Sequence, residues 1–284
     1  MIATAHLGPH EVHRVGFGAM QLPGPGVFGP PRDRDEAIAV LRRAREAGVD
    51  HIDTASYYGP DVANGLIHDA LHPYPEDLRI VSKVGGRRDE SKAWIPAIAP
   101  TDIRSQVEAD LRVLGAERLT MVNLRLIEPD ETTLEAGLAT LAELRDEGKL
   151  ELIGLSNVSL AELERGLELA DIASVQNQYG LLDRAHEDML RACAERGLAF
   201  VPFFPLGSAF GVAPRPTEDP TVQAVAQRLG ATPAQVALAW LLYHAPNILL
   251  IPGTNSLAHL EENLAAGELE LGEDDLRELD ALAR

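Results

Sequence analysis

The residue pattern predicts an α/β fold: a (β/α)8 TIM barrel, one domain over residues 1–284, with long loops over its C-terminal mouth. Three observations carry that prediction. Eight short apolar runs rich in β-branched residues recur along the chain, and stretches of helical period separate them. No G-x-G-x-x-G follows the first run, as an open dinucleotide-binding sheet would require. The runs fall at 15–19, 51–54, 78–84, 119–126, 150–156, 173–178, 198–204 and 248–252. They are near-continuous rather than alternating, which suits parallel strands covered on both faces. Between them, 33–48 opens on Asp33 and closes on Gly48, 101–115 opens on Thr101 and closes on Gly115, and 132–148 and 232–244 open on Thr132 and Thr232. These are helix caps. The Pro/Gly-rich stretches 22–31 and 207–220 exceed the length of connectors and are predicted to lie over the barrel mouth.

Composition narrows the class. Hydrophobic residues at 45% and charged ones at 24% exclude disordered and collagen-like chains. Twenty-five basic against 44 acidic residues leave a net charge of -19 without a dense basic run, a surface that repels nucleic acid. No segment approaches the roughly 20 apolar residues of a membrane span. The opening residues lack the apolar stretch of a signal peptide, so a cytoplasmic protein is expected. Cys193, within a helical run, is expected to be a core thiol. A metal-dependent barrel would need His and carboxylates gathered at strand ends, and the nine His scatter instead; no metal is expected.

In a barrel the reacting groups stand where strands end. Asp53 ends the second run, with Tyr58 just beyond it; Lys83 ends the third and Arg125 the fourth. An Asp before a Thr also suits a turn or cap. Lys83 is harder to dismiss, because an ammonium inside an apolar run is costly unless a carboxylate pairs with it, and Asp53 is on the adjacent strand. That pair would place a cation near the Tyr58 phenol and is expected to lower its pKa towards the range of a general acid. Phe28, Tyr57 and Trp94 are the apolar candidates for a substrate wall.

Seven motifs occur in one order: GFGAM at 16–20, DTASYYG at 53–59, IVSKVG at 80–85, IGLSN at 153–157, SVQNQY at 174–179, PFFPLG at 202–207 and IPGTNSLAHLEEN at 251–263. In them the chain resembles the aldo-keto reductase family over nearly its whole length. The resemblance implies a barrel that reduces carbonyls with NADPH, without metal. It implies Tyr58 as proton donor, tuned by Lys83 and Asp53. Ser156, Asn157 and Gln176 would hold the nicotinamide carboxamide, Phe203 would stack on its ring, and Met20, Pro205 and Leu206 would complete that end. Gly253, Thr254 and Asn255 would lie by the phosphates, with His259, Glu262 and Asn263 towards the adenosine.

Two departures from the family pattern stand out. Arg125 falls where the family usually has a His. A guanidinium stays protonated, so it can orient a carbonyl and attract an anionic substrate but cannot shuttle a proton; alternatively it pairs with Glu128 or Asp130. The segment after Pro252 offers Thr254, Asn255, Ser256 and His259 where an Arg or Lys commonly holds the 2′-phosphate. NADPH is therefore expected, with NADH possible. The expected activity is NAD(P)H-dependent reduction of a small aldehyde or ketone. The alternatives are a sugar or polyol dehydrogenase, or a cofactor-binding regulator with weak or lost activity. Oligomeric state leaves no signal.

Overall fold

In the computed structural model, which describes residues 4–127, 131–207 and 215–282, an antiparallel hairpin of β1 (Thr4–Leu7) and β2 (His10–His13) precedes the barrel. Period alone misses it, because each strand is only four residues long. Leu7 and Val12 are buried against Val81, Met121, Val201 and Leu249, so the hairpin plugs the barrel interior.

The barrel strands are β3 (Phe17–Gly18), β4 (His51–Asp53), β5 (Arg79–Arg88) with its antiparallel partner β6 (Trp94–Ala97), then β7 (Leu119–Arg125), β8 (Leu150–Ser156), β9 (Ile172–Gln176) and β10 (Ala199–Phe200). All but β6 run parallel, each beside its predecessor. The eighth predicted run closes the ring through single parallel bridges, Ile248 to Phe200 and Leu250 to Val15. The seam strands are shorter than predicted, and in the last two runs Pro202 and Pro252 have no N–H to give a ladder. The third strand is longer than predicted. Gly85, at φ +106°, turns it over the mouth, where a Cβ would stand 2.3 Å from the Arg125 carbonyl oxygen.

The helices are α1 (Arg34–Glu46), α2 (Val62–Leu71), α3 (Pro100–Leu114), α4 (Glu131–Asp146), α5 (Leu160–Leu169), α6 (Glu187–Glu195), α7 (Pro220–Leu229), α8 (Pro233–His244), α9 (Leu257–Ala265) and α10 (Glu273–Asp280). Asp33 caps α1 and Thr232 caps α8, as their residue types predict. For α3 the expected Thr101 cap gives way to Pro100 in the first turn, a position that suits its fixed φ. Cys193 is fully buried on α6, its thiol pushed up to about 12 by burial. No described helix is long and apolar enough to cross a membrane.

Two polar devices hold these layers. Arg14, just before β3, is buried and donates to the carbonyl oxygens of Leu242 at 2.8 Å, Ala245 at 2.5 Å and Ile248 at 3.1 Å, fastening the closing strand to the first. Behind the mouth, Asp110 on α3 accepts from Asn64 Nδ2 on α2 and from Ser82 Oγ on β5, both at 2.6 Å, and Thr54 Oγ1 donates to Asn64 Oδ1 at 2.7 Å. All four are fully buried. Burial pushes the Asp110 carboxyl up to about 7, against the opposing hydrogen bonds of Ser82 and Asn64 and the Lys83 charge, while Asp61 adds to the rise.

Arg14→Met should cost about 3 kcal/mol, since it takes a charged donor away from three carbonyls, two of them in fully buried bonds; the shift in urea midpoint measures it. For Asp110 the folded pKa lies above the unfolded value of about 4, so between about pH 4 and 7 the folded chain binds the extra proton. This group's contribution to stability therefore falls as pH rises through that window. Asp110→Asn should flatten that part of the profile, read as urea midpoints at several pH values.

Candidate active site

Asp53 is the last residue of β4, and Lys83 lies two places beyond Val81, the Cα partner of Asp53 on β5. The Lys83 ammonium donates to Asp53 Oδ1 at 2.5 Å and to the Thr54 carbonyl oxygen at 3.1 Å. Both partners are almost fully buried, at 3% and 4% exposure, which makes the pairing obligatory rather than decorative. Asp53 Oδ2 accepts from Gln176 Nε2 at 2.9 Å, carrying the network across the barrel to the end of β9. Gln176 Oε1 is buried without a partner among the described residues.

Tyr58 stands in the turn between β4 and α2, its N–H bonded to the Ala55 carbonyl oxygen at 3.1 Å. The Lys83 ammonium lies over the Tyr58 ring, 5.0 Å from its centroid. Tyr57, Tyr58 and Trp94 meet edge to face, with centroids 5.4 to 6.4 Å apart. The expected lowering of the Tyr58 pKa is not what this geometry produces. Burial raises it well above the ordinary phenol value, the Asp53 carboxylate raises it further, and only Arg125 opposes. The Lys83 charge sits over the ring face and is already bonded to Asp53, so burial dominates.

Arg125, half-buried at the end of β7, donates to Ser156 Oγ at 3.0 Å, and its guanidinium carbon is 4.9 Å from the Phe203 ring centroid. The alternative partners Glu128 and Asp130 lie outside the described residues. Asn157 takes φ +59°, a left-handed conformation Asn tolerates, and donates from Nδ2 to the Leu126 carbonyl oxygen at 2.6 Å.

A cavity of about 350 Å³ opens at the strand ends, with Asp53, Tyr58, Lys83 and Arg125 on its walls. Met20, Asn157, Gln176 and Phe203 join them, as do Pro205, Leu206, Gly253 and Asn263. Ser156 is tied to the cavity through Arg125, and buried Thr254 spends its hydroxyl on the Ser256 N–H at 3.1 Å. Asn255 lines a neighbouring cavity, while His259 is exposed on α9 outside both. Glu262 is bonded by the Thr232 hydroxyl at the start of α8. Tyr57 and Trp94 line the cavity, whereas Phe28 lies outside it under the charges of Arg88 and Lys92. Ile127 and Gln21 are further lining residues that sequence reasoning missed. No charge or glycine marks them; only their positions just past β7 and β3 could have pointed there.

The aldo/keto reductase family model matches residues 14–284. Pyridoxine 4-dehydrogenase of Escherichia coli (strain K12) is 50% identical over 286 residues, covering 99% of this chain and 98% of that protein. Among solved structures, a thermostable aldo-keto reductase in complex with the inhibitor epalrestat is 30% identical with a TM-score of 0.83, covering 99% of each chain. An aldo/keto reductase from Klebsiella pneumoniae in complex with NADP and acetate is 26% identical with a TM-score of 0.82, covering 99% of this chain and 95% of that one. The motifs, the barrel and these matches agree, and the chain belongs to the aldo/keto reductase family.

Proposed function

We propose that this chain interconverts pyridoxal and pyridoxine with NADP(H), reducing the ring aldehyde to the primary alcohol. The observation that carries the reading is the buried Asp53–Lys83 pair beside Tyr58 in a cavity walled by aromatic rings. The name of the relative that shares half its residues supplies the substrate. The cavity suits the cofactor: Gln176 Oε1, buried and unpartnered, matches the N–H of a nicotinamide carboxamide, and Phe203 offers a ring face. Met20, Asn157, Pro205, Leu206 and Asn263 would enclose it, with Gly253 and Asn255 along its phosphates. When bound, NADPH supplies the hydride.

The protein's own part is proton delivery and orientation. Tyr58 holds its proton at working pH and releases it to the carbonyl oxygen only as that oxygen becomes an alkoxide, a stronger base than phenolate. In the reverse direction the same group, as phenolate, would take the proton from the alcohol. Arg125 takes the place of a neutral partner. Pyridoxal carries an ionisable hydroxyl on the carbon next to its aldehyde, and a fixed guanidinium pairs with that oxygen while orienting the carbonyl. The NADPH absorbance lost on mixing with pyridoxal tests the assignment; turnover of simple aldehydes but not of pyridoxal would overturn it.

Tyr58→Phe should lower kcat for reduction by about 10²- to 10⁴-fold and change NADPH affinity less than about twofold, because only the transferred proton is lost. Single-turnover kinetics and a binding titration separate the two. Arg125→His should lower kcat/KM for pyridoxal relative to pyridine-4-carbaldehyde, which lacks the neighbouring hydroxyl, by about 5- to 150-fold, the equivalent of about 1 to 3 kcal/mol. An unchanged ratio removes Arg125 from substrate recognition.

A further inference from the structure

Three segments far apart in sequence meet at one side of the cavity mouth: the loop 24–29 after β3, the turn carrying Tyr57 and Tyr58, and the β5 to β6 hairpin that brings in Trp94. Arg88, the last residue of β5, holds two of them at once. Its Nε and Nη2 donate to the Lys92 carbonyl oxygen at 3.1 and 2.7 Å, within the hairpin. Its Nη1 donates to the Val27 carbonyl oxygen at 2.9 Å and its Nη2 to that of Gly26 at 3.0 Å, across the mouth. The guanidinium carbon lies 4.1 Å from the Trp94 ring centroid and 5.4 Å from that of Phe28. Every one of these acceptors is a backbone carbonyl, so the planar fork of donors, more than the charge, makes the connection.

Two of the three carbonyls belong to residues in the left-handed region, Val27 at φ +57° and Lys92 at φ +68°. That backbone is costly for a β-branched side chain and persists only where the surroundings over-determine it. Buried Val27 meets this condition through Arg88. Both held segments run on to the reacting groups. Phe28 forms a parallel bridge with Gly59, which follows Tyr58, and the Gly29 N–H bonds the Gly59 carbonyl oxygen at 3.0 Å. Trp94 stands edge to face with Tyr57 and Tyr58, at 5.6 and 6.4 Å between centroids. Tyr58 has a separate anchor, since its turn leaves β4 and the Lys83 ammonium lies over its ring. What depends on Arg88 is therefore the Trp94 wall and the loop facing it.

We propose that Arg88 is a positioning residue for the aldehyde substrate: it clamps the 24–29 loop to the β5 to β6 hairpin and so fixes the Trp94 wall that holds the substrate ring. This rests on the reading of the cavity as an aldehyde-reducing site. Arg88 lies behind the wall and lines neither that cavity nor its neighbour. A loosened wall weakens substrate and transition state alike, which raises KM and spares kcat.

Steady-state reduction of pyridoxal and of pyridine-4-carbaldehyde at saturating NADPH tests it, on the wild type, Arg88→Met, Arg88→Lys and Arg87→Met. Arg87 is exposed, and its substitution makes the same charge change one residue outside the clamp. Arg88→Met and Arg88→Lys should each raise KM for both aldehydes by at least about 5-fold and keep kcat within about threefold, because neither side chain can span the two loops. Arg87→Met should leave both constants within about twofold. A merely structural role gives the opposite split, since loss of folded protein lowers the apparent kcat and leaves KM alone. That split overturns the proposal, as does an unchanged KM in Arg88→Met or an equal rise in Arg87→Met. A wild-type KM in Arg88→Lys assigns the effect to charge and overturns the clamp. Should Arg88→Met fail to fold, Arg88→Lys carries the test. A wild type that reduces pyridine-4-carbaldehyde but not pyridoxal sinks the pyridoxal assignment alone, and the clamp is then read on the simpler aldehyde. One that reduces neither sinks both.

Discussion

A lysine ammonium at 3% exposure inside a barrel is tolerable only if its charge is answered at contact distance, and this requirement organises the mouth of the protein. Asp53 answers it from the next strand, the Thr54 carbonyl oxygen takes a second N–H, and Gln176 takes the other Asp53 oxygen from across the barrel. Three strand ends are thereby locked in mutual register by one buried charge. Tyr58 inherits its position from the same arrangement, since it stands on the turn that leaves β4 and lies with its ring under the ammonium.

A further buried carboxyl, Asp110, lies one layer further out and is coupled to Asp53 through neighbouring backbone. Ser82, which it holds, precedes Lys83; Thr54, at the other end of its chain of hydrogen bonds, follows Asp53. The flanks of the ion pair are thus fixed from the helical layer as well as from within the barrel. Rigid supports of this kind are what a site needs to hold reacting groups in one geometry.

Much of this was legible in the sequence, for a physical reason. A charged residue in an apolar run cannot be ignored, so Lys83 and Asp53 announce each other, and caps such as Asp33 and Thr232 announce helix ends. What the sequence left hidden is whatever depends on distance or on a balance. The β1 and β2 hairpin and the β5 to β6 excursion are too short for a period to reveal. The sign of the Tyr58 shift depends on burial outweighing a nearby cation, and residue types alone do not weigh the two. Arg32 and Asn255 carry no shared motif and line one cavity only because the barrel closes, a closure fastened by Arg14.

The edge-to-face aromatic wall has a consequence beyond shape. The chain has two tryptophans. Trp94 looks into the cavity, between the rings of Tyr57 and Tyr58 on one side and the Arg88 guanidinium 4.1 Å away on the other. Trp240 is sealed in the interior, its indole N–H given to Asp280 at 2.9 Å and its ring stacked on His244. One indole is therefore an optical gauge of whatever enters the mouth and the other an internal standard, so occupancy is written into the protein's own emission without any attached dye.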